Sequence, residues 1–185
     1  MSPTSILLHK ILSVLFVAAC LVGCNGNEQH FVVVRADRSI SKPSAYPLAI
    51  DNEKVGKYPP DAKSGAGYFY DDVLEYRVWF HPERGAEPLN GTEDYYVAFA
   101  QYERAAEISK SKKGAEDPLV LVRQTEWIDE PEPGHYVPEN GNRITEWQVK
   151  WLNGGRRTPV SIAEFMKHPK PADKSEANSE DDEEQ

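Results

Sequence analysis

The chain has little cysteine, two residues in 185, and both, Cys20 and Cys24, lie close to its beginning. From Asn25 onward there is no thiol, so disulfides, thiolate catalysis and cysteine-ligated zinc are excluded there. Positive charge is also short. The formal net charge is −9, and no basic stripe that could neutralise a phosphate backbone stands out, so nucleic acid is not an expected partner. Long apolar runs are missing: Ile11–Gly23, thirteen uncharged residues, is too short to span a bilayer. No Gly-x-Ser-x-Gly elbow occurs, and Gly65-Ala66-Gly67 lacks the third glycine and the following helix of a phosphate loop. His9 and His168 lie at the margins, while His30, His81 and His135 are far apart in sequence, so neither a metal nor a cofactor is expected. The 39% hydrophobic and 10% aromatic content excludes a wholly disordered or collagen-like chain.

The apolar stretch, preceded by His9 and Lys10, has the length of a signal-peptide core. It ends in Leu21-Val22-Gly23-Cys24, which resembles the lipobox of bacterial lipoproteins. The resemblance implies a diacylglyceryl group on the Cys24 sulfur, cleavage before Cys24 and acylation, by a chain such as palmitate, of the amino group released. Several buried acyl chains, each CH₂ worth about 0.8 kcal/mol, would hold such a protein firmly on a membrane. Asn25 is not the aspartate associated with inner-membrane retention. The expected address is therefore the cell envelope, with the outer membrane, facing the periplasm, favoured where there are two membranes.

The expected organisation is a signal peptide over 1–23, a tether over 24–60, an α+β domain over 61–168 and a disordered acidic tail over 169–185. The run Phe31–Val34 offers the tether a peripheral strand, and Pro43, Pro47, Pro59 and Pro60 stiffen the remainder. The tail from Pro171 sets seven acids against one lysine, with no large apolar residue. Between them, Tyr68–Phe80 reads as a strand with Leu74, Tyr76, Val78 and Phe80 on one face. Tyr95–Ala100 is a second strand, followed by a helix with Tyr102, Ala105, Ala106 and Ser109 on one side and Gly114 as its stop. Leu119–Ile128 is a third strand. Asp129–Gly134, with Pro131 and Pro133, reads as a stiff loop, and Asn140-Gly141 as the turn of a hairpin leading into Trp147, Val149 and Trp151. Ser161 and Glu164 form a capping-box pattern, with Val160 and Phe165 as a staple, at the start of a short second helix. The sum is a small, mostly antiparallel sheet of four or five strands with two helices, an α+β fold.

No catalytic set emerges. Asp71-Asp72-Glu75 and Asp129-Glu130-Glu132 offer carboxylates, but beside turns these are commonly just solvated. The most suggestive group for gripping an anionic or planar ligand is Arg77, Trp79, His81 and Arg84, with Trp127 as a further aromatic surface. Against this, Arg77 could simply pair with Glu75 or a cross-strand acid, and the tryptophans could simply pack.

Three segments carry a resemblance: Gly67-Tyr-Phe-Tyr-Asp-Asp-Val-Leu-Glu-Tyr-Arg-Val-Trp79, His81-Pro-Glu-Arg-Gly-Ala86 and Ile128-Asp-Glu-Pro-Glu-Pro-Gly134. Together they resemble a small bacterial family whose members often carry a GNAT-type acetyltransferase label, over about Tyr58 to Lys167. The resemblance would imply an acyltransferase using acetyl-CoA. It supplies no catalytic residues, and the pyrophosphate loop of GNAT enzymes (Arg or Gln, two residues, Gly, one residue, Gly or Ala) is missing from the chain. Acetyl-CoA is, moreover, a cytosolic cofactor. The leading expectation is a lipid-anchored envelope protein whose domain binds an envelope protein or a cell-wall ligand. An acyltransferase-like enzyme and a carbohydrate or peptide binder are the alternatives.

Overall fold

The computed structural model describes residues 31–33 (backbone only), 43–64, 67–89, 91 and 93–169. The expected signal peptide, Cys24 and the acidic tail from 170 onward lie outside the described residues. In chain order the elements are β1 (Phe31–Val33), β2 (Lys63–Ser64), β3 (Asp72–Phe80), β4 (Tyr95–Phe99), α1 (Tyr102–Ser111), β5 (Leu119–Glu132), β6 (His135–Gln148) and α2 (Ser161–Lys167). The sheet order is β1-β4-β3-β5-β6-β2. The four long strands pair antiparallel, and the two short outer strands add to the edges in parallel. This is the mostly antiparallel α+β fold expected from the sequence. Among the described residues no helix is long and apolar enough to cross a membrane.

Alternation along β3 sends Tyr76, Val78 and Phe80 to one face, where they meet Phe99, Val120, Val122, Trp147 and Ala105 of α1. Complete burial of side chains this large contributes about 1.5–3 kcal/mol each, and this face is the main core. A bulge between Val73 and Glu75 alters one expectation: Val73, not Leu74, joins the Tyr76 face. The extra residue shifts the pleat by one position.

The opposite face carries Tyr96, Ala98 and Ala100, packed against Ala49, Val55 and Trp79. Its cover is the stretch from residue 49 to 60, within the segment that the sequence assigns to the tether. Ala49 N donates to Ala100 O and Ile50 N to Val73 O, each at 2.9 Å. The residues just before it lie on the main-core side instead: Tyr46 meets Tyr102 of α1 edge-on, with ring centroids 4.7 Å apart, and Glu103 accepts from Ala45 N at 2.6 Å. The prolines in this segment restrict its backbone freedom, so ordering it costs less entropy than ordering a flexible linker.

The β5–β6 hairpin corrects the expected turn. Its two-residue loop is Pro133-Gly134, with Glu132 opposite His135, and Gly134 at φ 79° supplies the left-handed position that follows Pro in a type II turn. Pro131, expected to stop the ladder, sits at a bulge between Asp129 and Glu132, where a missing donor is tolerated. Asn140-Gly141 lies inside β6, at the irregularity where Gln124 pairs Arg143 and Glu126 pairs Asn140. β6 also ends sooner than its alternation suggests. Val149–Gly154 forms a 3₁₀ helix that carries Trp151 against Trp147. α2 forms where expected, but its cap differs. Ser161 Oγ accepts from Thr158 N at 2.9 Å, Val160 is exposed, and Phe165 packs on Tyr68, Phe69 and Tyr136.

Candidate functional site

Arg77 and Trp79 alternate with the core residues of β3 and so point to the face covered by residues 49–60. Arg77 is wholly buried and its donors are engaged: Nε to Glu75 Oε1 (2.8 Å), one terminal nitrogen to Pro59 O (2.8 Å), the other to Pro60 O (3.2 Å) and Glu146 Oε1 (3.4 Å). Its guanidinium also lies 4.3 Å from the centre of the Tyr96 ring. Trp79 Nε1 lies 3.3 Å from both oxygens of Glu146. An arginine so enclosed is not available to grip a ligand. It holds the covering segment to the sheet, pairing both with Glu75 and with Glu146 on another strand.

Burial pushes the carboxyls of Glu75 and Glu146 above the usual range, although Arg77 pulls both back, Gly56 N–H helps at Glu75 and Trp79 helps at Glu146. Burial likewise moves the Tyr96 hydroxyl up to about 12, with Arg77 opposing and Glu75 and Glu146 adding. A carboxyl with a raised folded value binds its proton in the folded chain at pH values where the unfolded chain has released it. Stability therefore falls as pH rises through the window that opens at 4.5. Asp71 behaves oppositely. Burial alone would raise it, but hydrogen bonds from Arg157 and Thr125 outweigh that, so its contribution is present above 3.8 and is lost as pH falls through its lowered folded value. We expect the unfolding free energy of the wild-type protein minus that of Glu75→Gln, measured in urea, to fall, and to pass below zero where it starts near zero, as pH is raised from 4.5 towards neutrality. A wild type that gains stability over the variant as pH rises would contradict this account.

His81 and Arg84 belong to a second cluster. His81 leaves the end of β3 in extended conformation (φ −115°, ψ 105°) and is followed by a 3₁₀ turn, Pro82–Arg84, that ends at Gly85. The register Phe80↔Tyr95 continues one step beyond the strands, so Asp94 comes to lie beside His81, and the stacked rings of Phe80 and Tyr95, 5.1 Å apart, brace the pair. The result is His81 Nδ1 at 2.8 Å from Asp94 Oδ2 and 3.6 Å from Glu83 Oε1. On the other side of the ring Glu116 Oε1 lies 2.9 Å from Nε2, but off the N–H direction, so that buried nitrogen has no aligned hydrogen bond. Arg84 holds Glu116 Oε1 at 3.0 Å. Glu116 itself is fixed because its N–H donates to Trp79 O at 2.9 Å.

The five residues suggested as a ligand grip thus do not converge in one cleft. Arg77 and Trp79 meet on Glu146, and His81 and Arg84 meet on Glu116. Trp127 is elsewhere, on β5, with the Arg143 guanidinium 4.2 Å over its ring. The acidic groups are engaged as well. Asp72 pairs with Arg123 and with Arg156 (2.9 Å), and Asp71 accepts from Arg157 (2.7 Å) and Thr125 N (2.6 Å). Asp129 pairs with Arg143 at 3.2 Å. Next to this network is an open cleft of about 450 Å³, walled by Ile50, Tyr58, Leu74, Arg123 and Ile144.

Sequence reasoning found His81 but missed Asp94 and Glu116, which come from segments thirteen and thirty-five residues further on. A signal was present only in hindsight of the pairing: once Tyr95 is set against Phe80, Asp94 must flank His81. No known family model, curated protein or solved structure matches the chain, so its site is read from the chemistry of its own residues.

Proposed function

We propose that this is a lipid-anchored cell-envelope protein whose α+β domain acts by binding, with the membrane attached through Cys24. The observation that carries the reading is the box Leu21-Val22-Gly23-Cys24 placed directly after an apolar run of signal-peptide length. The domain's chemistry is compatible: the carboxylates that could have served acid–base work, Asp71, Asp72 and Glu75, are held by Arg157, Arg123, Arg156 and Arg77. The test is Cys24→Ala in cells fed radioactive palmitate. The unaltered chain should take up label and sediment with membranes, and the variant should do neither. Equal labelling of the two, or an unaltered chain recovered uncleaved in the cytosol, would overturn the proposal.

A further inference from the structure

We infer that His81, Glu83 and Asp94 form a binding site for a divalent first-row transition ion, with zinc as the representative. The inference is independent of the anchor at Cys24.

Three ligand atoms, His81 Nδ1 and one oxygen each from Glu83 and Asp94, lie within 4.8 Å of one another. Zinc binds imidazole nitrogen and carboxylate oxygen at about 2.0–2.2 Å, so its ligand atoms stand roughly 3–4 Å apart. Of the two Nδ1 separations, 3.6 Å falls within that spacing and 2.8 Å lies just below it, so Asp94 need move back by only a few tenths of an ångström. Glu83 is well exposed and Asp94 partly so; both can therefore adjust by small rotations, and the open side leaves a coordination position to solvent or a ligand. His81 cannot move in the same way. Only 8% of it is exposed, its N–H donates to Gly114 O at 2.8 Å, and its carbonyl accepts from Arg84 N and Ala86 N. A fixed nitrogen with two adjustable oxygens is a donor set suited to zinc, cobalt, nickel or manganese, whereas calcium and magnesium favour oxygen alone.

The second observation lies on the far side of the ring. Coordination through Nδ1 requires that nitrogen's lone pair, which puts the ring proton on Nε2. There, in the buried position, Nε2 lacks an aligned acceptor, while Glu116 Oε1 lies 2.9 Å away, held by Arg84. With the ring held, a small rotation of the partly exposed Glu116 carboxylate would let Nε2–H donate to it. That is the carboxylate–histidine–metal arrangement by which outer groups fix the tautomer and orientation of a ligating histidine. Three carboxylates, Glu83, Asp94 and Glu116, stand near two cations, Arg84 and Lys113, whose ammonium lies close to Gly85; the single negative charge in excess favours a bound dication.

The test uses the full chain in detergent, stripped with a chelator and titrated with zinc chloride by calorimetry, with thermal melts run in parallel. We expect one saturable zinc per chain and a rise in melting temperature on binding. Both should be lost in Asp94→Asn, a nearly isosteric change at a partly exposed position, and in His81→Gln. Glu116→Gln should keep the site but weaken it about 10- to 100-fold. Zinc binding of the same stoichiometry and affinity in Asp94→Asn and His81→Gln would place the ion elsewhere, for example on the acidic tail, and would overturn the inference. So would the absence of saturable heat in the unaltered chain.

Discussion

Replacing Arg77 by alanine is expected to lower the unfolding free energy by about 3–5 kcal/mol, a large part of the 5–15 kcal/mol typical of a domain. The change strands Glu75, which is wholly buried, and Glu146, which is nearly so, without their cation. It also removes the donors to Pro59 O and Pro60 O, so residues 49–60 lose a clamp and the Tyr96 face gains access to water. Urea unfolding followed by tryptophan fluorescence would measure the loss. Arg77→Lys should recover little, because one ammonium cannot serve Glu75, Glu146 and two carbonyls in a plane. Combining Arg77→Met with Glu75→Gln and Glu146→Gln should recover more than Arg77→Lys does, since the penalty lies in uncompensated charge. A loss below about 1 kcal/mol for Arg77→Ala would mean that water reaches these carboxylates, and the buried network would have to be abandoned.

Gly114→Ala should be of comparable severity, at about 2–6 kcal/mol. The residue sits at φ 69°, and an added Cβ would lie 2.3 Å from Ala86 N and 2.8 Å from His81 O, both backbone atoms that cannot swing aside. A left-handed conformation for a residue with a side chain costs about 1–3 kcal/mol, and overpacking adds about as much again. Gly134→Ala is the internal control. That glycine also has positive φ, 79°, but faces open space, so it should show the conformational part alone. The difference between the two variants in thermal or urea unfolding measures the clash. Equal effects would show that the loop around Ala86 yields, and that His81 is less firmly seated than its hydrogen bonds indicate.

What was legible in the sequence was whatever repeats along a single element. The alternation of Tyr76, Val78 and Phe80, the spacing of Tyr102, Ala105 and Ser109, and the apolar run Leu119–Val122 each mark a surface that must be buried, and all three lie where they were expected. The failures arise where an element meets something distant. Asn140-Gly141 is the stronger local turn signal, yet Pro133-Gly134 closes the hairpin, because that register keeps β5 and β6 paired over fourteen residues each. Trp147, Val149 and Trp151 alternate as a strand would, but Trp151 reaches Trp147 only when the chain tightens into a 3₁₀ turn. Residues 43–60 carry the composition of a linker, and nothing local shows that a buried arginine awaits their carbonyls. The candidate metal residues were half visible for the same reason: His81 and Glu83 are neighbours in the chain, while Asp94 and Glu116 become neighbours only through strand pairing.

The pairing of Phe31–Val33 with β4 sets a leash length. Phe31 is matched to Tyr96, and only six residues separate it from Cys24. Even fully stretched, at about 3.3–3.6 Å per residue, that interval spans roughly 25 Å. A Cys24 sulfur bonded to the glycerol of a membrane-embedded diacylglyceryl group would thus keep the β1 edge of the sheet within about 25 Å of the lipid surface. With the anchor proposed at Cys24, a partner of this domain would have to come within that distance of the membrane surface.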